Sequence, residues 1–181
     1  MKKQMKFGPI RFDTALGREW LLTNSLGSYA SSSLLDCHTR KYHGLLVTAL
    51  AEPAGHFVLL SKLEASLSLD GKGWTSLATN QYPGAVHPQG FQNMESFEAL
   101  PIPETVWRVE NALVKRQLLL ASGKNSLLVR YQLHEGPGEI GLRLSPLLAF
   151  RDRHTLTKEN SFLNGTLEEK SGVWRMRPYV G

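Results

Sequence analysis

Apolar and polar residues alternate with a period of two along most of this chain, the spacing of a strand with one buried face. Across residues 62–70, Leu63, Ala65, Leu67 and Leu69 alternate with Glu64, Ser66 and Ser68. Asp70-Gly71 then supplies a hairpin turn, and residues 74–77 are the return strand. Leu127, Val129, Tyr131 and Leu133 alternate with Arg130, Gln132 and His134. Ile140, Leu142 and Leu144 alternate with Gly141, Arg143 and Ser145, and Gly136-Pro137-Gly138 marks a turn between these two segments. Ser122-Gly123-Lys124-Asn125 marks another turn, closing a strand over 113–121. Near the end, Asn164-Gly165 is expected to join 161–163 to 166–168 as a hairpin.

No segment carries a clear helical period. Short strands at close spacing with turn chemistry between them predict an all-β fold, an antiparallel β-sandwich. Residues 81–103 break the pattern. They hold Pro83-Gly84, His87-Pro88, Gly90 and two further prolines, which predicts a long irregular excursion. There is no internal repeat, low-complexity tract or linker, so residues 1–181 are read as one domain.

Composition changes this picture little. The chain is 41% hydrophobic and 20% charged, an ordinary globular balance. A net charge of +5 raises the question of a nucleic-acid partner. The cations Arg108, Lys115, Arg116, Arg130 and Arg143 are dispersed, however, and read as scattered solvated charges, so no nucleic-acid partner is expected. No apolar run is long enough to cross a bilayer, and no membrane partner is expected. Met1-Lys2-Lys3-Gln4-Met5-Lys6 is basic but has no apolar stretch behind it, unlike a secretory signal. Cys37 is the only cysteine, which excludes an internal disulfide and points to a reducing, cytoplasmic compartment.

Candidate chemistry is sparse. Glycoside hydrolysis needs two carboxylates flanking the scissile bond, and nothing in the spacing fixes such a pair among Glu95, Glu98 and Asp152. Cys37, His38 and His43 do not give the four ligands of a zinc site, and no phosphate loop or dinucleotide fingerprint occurs, so neither metal nor cofactor is expected. Cys37 itself is read as a small buried apolar residue. Two polar clusters remain. Thr39-Arg40-Lys41-Tyr42-His43-Gly44 precedes the apolar run Leu45-Leu46-Val47, and its side chains suit hydrogen bonding to sugar hydroxyls or to a facing carboxylate. Phe150-Arg151-Asp152-Arg153-His154 follows a strand, and an internal Arg–Asp pair ordering a loop is its preferred reading. Trp20, Trp74, Trp107 and Trp174 could stack on sugars, but core positions are preferred for them.

Several blocks together carry a family resemblance. Glu19-Trp20-Leu21-Leu22-Thr23-Asn24-Ser25-Leu26-Gly27-Ser28-Tyr29-Ala30, followed by Thr39-Arg40-Lys41-Tyr42-His43-Gly44-Leu45-Leu46-Val47, resembles the opening of bacterial and archaeal type glycogen debranching enzymes. Leu59-Leu60-Ser61-Lys62-Leu63-Glu64, His87-Pro88-Gln89-Gly90 and Leu144-Ser145-Pro146-Leu147-Leu148 with Arg151, Asp152 and His154 are similar to later blocks, in the same order. Two departures stand out: the family's version of residues 25–28 is richer in glycine, and many members carry asparagine near His38.

The resemblance implies a large, supersandwich-like β-domain packed against an (α/α)6 barrel. The barrel would cleave α-1,6-glucosidic branch points as an amylo-α-1,6-glucosidase and would supply the catalytic acids. This chain is then expected to stop before the barrel and to lack its own last strands. No catalytic residue carries over. The implied function is support of the barrel and of a branched α-glucan, with Arg40, Lys41, His43, Arg151, Asp152 and His154 facing the barrel or its cleft. The alternative is a free-standing carbohydrate-binding β-sandwich with an exposed aromatic face.

Overall fold

The computed structural model describes residues 11–51 and 55–179, and the basic segment 1–6 lies outside them. A five-residue helix, α1 (Phe12–Leu16), leads into an antiparallel meander of β1 (Glu19–Thr23), β2 (Tyr29–Ser33), β3 (Gly44–Ala49) and β4 (His56–Leu69). β5 (Thr75–Ser76) turns back along β4. A hairpin of β6 (Thr79–Tyr82) and β7 (Ala85–Gln89) and a 3-10 turn, Gly90–Asn93, lead to a second meander. Its strands are β8 (Met94–Glu98), β9 (Glu104–Val109), β10 (Ala112–Leu120) and β11 (Leu127–Glu135). The chain then returns as β12 (Ile140–Asp152) and ends in a hairpin of β13 (Leu167–Lys170) and β14 (Val173–Met176).

The first sheet has the order β1-β2-β3-β4-β12, and the second β11-β10-β9-β8. β4 is the spine of the first sheet. One of its edges pairs with β12 from Phe57 to Leu69, while the other is shared by β3 near its start and β5 near its end. Gly136-Pro137-Gly138 does not close a hairpin, because β11 lies in one sheet and β12 in the other. One apolar cluster joins the sheets. Trp20, Leu45, Ala65 and Leu67 come from the first, and Phe97, Trp107, Val114 and Leu118 from the second. The expected alternating strands are therefore present, all antiparallel, and helix is confined to α1 among the described residues.

Turn chemistry explains two of the hairpins. Asp70 and Gly71 have φ of 48° and 70°, and the Lys72 N–H donates to the Leu69 carbonyl at 3.0 Å, a type I′ turn whose twist matches its strands. Ser171 and Gly172 adopt the same pair of positive φ values, 53° and 77°, and the last hairpin therefore forms around them. The hairpin expected at Asn164-Gly165 does not form. There the Asn164 N–H donates to the Pro178 carbonyl at 2.8 Å, while its own Oδ1 accepts the Thr166 N–H at 3.0 Å and closes a local turn instead.

Residues 81–103, expected to be irregular, hold β7, β8 and the end of β6. The prolines and glycines that suggested a loop are punctuation within structure. Pro83-Gly84, with φ of +76° at Gly84, turns β6 into β7. Pro88 lies in a two-stranded sheet, where a missing donor is tolerated. Gly90 permits a close backbone crossing: a Cβ there would stand 2.2 Å from the Leu77 carbonyl carbon, and the Gly90 N–H donates to the Ala78 carbonyl at 2.8 Å.

Two burial expectations need correction. Trp20 and Trp107 are core residues, but Trp74 and Trp174 are exposed, and the Arg143 guanidinium stacks 4.0 Å from the Trp74 ring centroid. Along β12 only Ile140 of the expected inward stripe packs on the core, while Leu142, Leu144, Leu147 and Leu148 each remain more than 40% exposed. β12 is the edge of its sheet, and β11, the edge of the other sheet, leaves Leu128 and Leu133 exposed as well.

Gly90→Ala is expected to destabilise the protein by roughly 2–4 kcal/mol through backbone overlap. Gly84→Ala, in open space with only the positive φ against it, should cost about 1 kcal/mol. Urea unfolding of the two variants checks the ranking.

Candidate functional site

The site grows out of the connection between β2 and β3. Ser33 at the end of β2 ties the connection at its start: its hydroxyl donates to the Cys37 carbonyl at 2.7 Å and accepts the Cys37 N–H at 3.1 Å. Between them Asp36 takes a positive φ of 55° and is 6% exposed. Its carboxylate meets the Arg116 guanidinium at 2.7 Å, and that arginine is 3% exposed. Arg116 occupies an inward position of β10, in series with Ala112, Val114, Leu118 and Leu120, with its guanidinium 5.2 Å from the Trp107 ring centroid. It is thus a core cation and not one of the scattered solvated charges. Burial pushes the Asp36 carboxyl up, but Arg116, with Lys62 behind it, outweighs that and holds it at about 2. Behind this pair the connection is fixed to the second sheet.

Past Cys37 the connection turns outward. The His43 N–H donates to the Arg40 carbonyl at 3.1 Å, and the Thr39 N–H donates to His43 Nδ1 at 3.1 Å. Since Nδ1 accepts, the ring proton sits on Nε2, which faces Glu19 Oε1 at 3.2 Å. Glu19, from β1, also holds the Arg40 guanidinium. Burial is the largest influence on His43 and pushes it down against the pull of Glu19. Burial pushes Glu19 up, but Arg40 and His43 together bring it below the usual carboxylate range.

The end of β12 closes this region from the other side. β12 shifts register between Leu148 and Arg151, where Phe150 has φ of 48°, and the bulge re-aims the residues that follow. Arg151 donates to the Lys41 carbonyl and, at 2.9 Å, to the Thr155 carbonyl. Lys41 Nζ donates to the His154 carbonyl at 2.9 Å, and Asp152 Oδ1 accepts the His154 N–H at 2.7 Å. Arg153 Nε donates to His154 Nε2 at 3.2 Å. The His154 proton therefore sits on Nδ1, directed at the Tyr42 hydroxyl 3.3 Å away, which leaves the hydroxyl hydrogen of Tyr42 free for another acceptor. The Tyr29 hydroxyl donates to the Tyr42 carbonyl at 3.0 Å. The result is an open cleft of about 310 Å³ walled by Glu19, Tyr29, Arg40, Tyr42, His43, His56 and Arg153.

A second cleft, of about 460 Å³, lies on the other side of the same connection, between β4 and the β6–β7 hairpin. His38 lines it, as His43 lines the first, and the two imidazoles stand edge to face with centroids 5.5 Å apart. Lys62, 3% exposed, sits in its wall and donates to the Thr79 carbonyl at 2.7 Å and to Asn80 Oδ1 at 2.5 Å. Burial drives His38 down to about 4 against the pull of Asp36, so the ring is neutral at neutral pH.

The structure brings all six sequence-selected residues, Arg40, Lys41, His43, Arg151, Asp152 and His154, into one neighbourhood. Arg151 and Asp152 do not pair side chain to side chain as expected; each instead binds backbone, which orders the loop by another route. Asp36, Arg116, Lys62 and His38 were not selected. Arg116 carried a legible signal, a charge at an inward position of an apolar strand. Lys62 carried none, since what buries it is the hairpin read as a loop. Among the described residues no group of three His, Cys, Asp or Glu is placed to hold a metal ion, and no helix is long and apolar enough to cross a membrane.

These features define a class: an antiparallel β domain whose polar chemistry is concentrated on one inter-strand connection pinned between two sheets. Comparison with known families gives the particular assignment. The chain belongs to the glycogen debranching enzyme N-terminal family, which it matches over residues 18–180. No curated protein and no solved structure gave a match.

Arg116→Ala strands a buried carboxylate and should cost roughly 3–5 kcal/mol, whereas Arg40→Ala, at an exposed pair, should cost less than about 1 kcal/mol. Denaturant midpoints separate the two outcomes. Stability should also fall with acidification in two windows. Unfolded histidine binds a proton near pH 6.5 but folded His38 only near 4, so between those values the unfolded chain takes up more protons, worth up to about 3 kcal/mol. Below pH 3.8 the Asp36 contribution is lost in turn, as the pH approaches 2. His38→Asn should shrink the upper window of a melting-temperature profile to the part that His43 contributes and leave the lower one in place.

Proposed function

We propose that this chain is the non-catalytic N-terminal domain of an amylo-α-1,6-glucosidase, a glycogen debranching enzyme, and that it supports the catalytic barrel and its branched α-glucan. The observation that carries the reading is the meeting of two distant polar segments, 39–43 and 151–154, through the Lys41–His154, Tyr42–His154 and Arg151–Lys41 contacts. A domain with only a packing role has no need of a surface with so many oriented donors. Here Arg40 and the Tyr42 hydroxyl hydrogen are presented outward on a rigid base, chemistry that suits a facing carboxylate or a row of sugar hydroxyls. The exposed leucines of β11 and β12 support a second part of the same reading, that further strands of the parent protein complete the sandwich there. The free-standing binding module has less support: of the four tryptophans two are buried and one is covered by Arg143, and Trp174 makes no ring contact among the described residues.

The natural protein should release glucose from a branched limit dextrin, and residues 1–181 alone should release none. In that natural protein Arg40→Ala should lower turnover at least roughly tenfold, equivalent to about 1.4 kcal/mol, while moving the melting temperature of the domain by only a degree or two. Unchanged turnover in the variant, or glucose release by the domain alone, would refute the reading.

A further inference from the structure

The cleft between β4 and the β6–β7 hairpin is not part of the surface described above, and its chemistry is distinct. Its wall holds a fixed polar relay. Lys62 donates to Asn80 Oδ1 at 2.5 Å, and Asn80 Nδ2 donates to Glu64 Oε1 at 2.7 Å. The amide is thereby oriented from both ends, and Glu64 Oε2 keeps its capacity to accept. His38 lines the same space, and its Nε2, buried in the wall, has no hydrogen-bond partner in the structure, an unusual state for a ring nitrogen. His87 and the exposed Tyr82 stand on the hairpin side. The volume of about 460 Å³ lies in the range of small-ligand sites.

The charge balance selects among ligands. Lys62 is offset by Glu64, 3.9 Å away, and Asp36 behind them is offset by Arg116. An anion entering the cleft would meet the Glu64 carboxylate, and a cation would meet the Lys62 ammonium. A neutral polyol meets neither penalty. Its hydroxyls can donate to Glu64 and accept from imidazole or amide N–H groups, and the face of Tyr82 can cover a C–H-rich ring surface.

We propose that this cleft is a saccharide subsite that takes one neutral hexose unit, held by Glu64, Asn80, His38 and His87 and covered by Tyr82. That the hexose belongs to an α-glucan rests on the function proposed above; that the cleft takes a sugar does not. The subsite would hold a branch or chain end of the polymer at a distance from the Arg40–His154 surface.

Hydrogen–deuterium exchange of the natural protein, with maltotriose, cellotriose or inorganic phosphate added, tests this. Maltotriose should slow exchange in peptides covering residues 61–64 and 79–88. Tyr82→Ala and His87→Ala should each raise the half-saturating concentration for that protection roughly tenfold, while Tyr42→Ala should not. Both substituted residues are on the hairpin surface, and unchanged melting temperatures would show that the fold persists. Protection by cellotriose but not maltotriose upholds the subsite and sinks the α-glucan reading. Loss of debranching activity in the parent with protection intact separates the two in the same way. The proposal is overturned if neither sugar protects these peptides, if phosphate alone does, or if protection survives both hairpin substitutions.

Discussion

The buried pair between Asp36 and Arg116 is the contact on which the functional surface depends. A carboxylate and a guanidinium withdrawn from water lose hydration worth several kcal/mol each, and their attraction repays this only with good geometry. What the pair secures is position. It joins a connection of the first sheet to an inward-facing site of the second, beside the apolar cluster that both sheets share. The residues that follow Asp36 in sequence, from Cys37 to His43, cannot shift without pulling a charge out of its partner's reach. Both clefts are lined by that short stretch, and their separation is set by two imidazoles in contact. An apolar substitute for the pair could match its stability without specifying where the connection must sit.

Much of the architecture was legible because period-two patterning depends only on which residues avoid water. The strands around Leu63–Leu69, Leu113–Leu120 and Leu127–Leu133 follow from that alone, as does the Asp70-Gly71 turn, whose φ values few other dipeptides accept. Misreading began where one residue type serves two purposes. The prolines and glycines of 81–103 read as marks of an irregular excursion, whereas Gly84 makes a hairpin and Gly90 makes a close crossing. Asn164-Gly165 and Ser171-Gly172 are both turn dipeptides, and only strand pairing on either side decides between them. Along β12 the pattern promised burial that an edge position does not deliver.

The candidate surface was legible for a different reason. Charged and aromatic residues gathered beside an apolar run must end up at the mouth of a strand, so Arg40, Lys41 and His43, and likewise Arg151, Asp152 and His154, could be picked out individually. Their meeting depends on β12 pairing with β4 and bulging at Phe150, which no local pattern encodes. Arg116 was hidden in plain view, as the one charge among the inward residues of β10. Lys62 was invisible, because its burial is imposed by a hairpin that sequence patterning did not recognise.

The long pairing of β12 with β4 also bears on how the protein is made. The last residue of β4 is 69 and the last of β12 is 152, so 83 residues must be added between completion of one strand and completion of its neighbour. At the usual 5–20 residues per second, a ribosome needs about 4 to 17 s for that stretch. Throughout that time the edge of β4, fourteen residues long, offers unpaired backbone groups to any other nascent chain. The buried lysine and the glutamate near its middle then have a second use: a charge on an open edge discourages intermolecular pairing until the proper partner arrives.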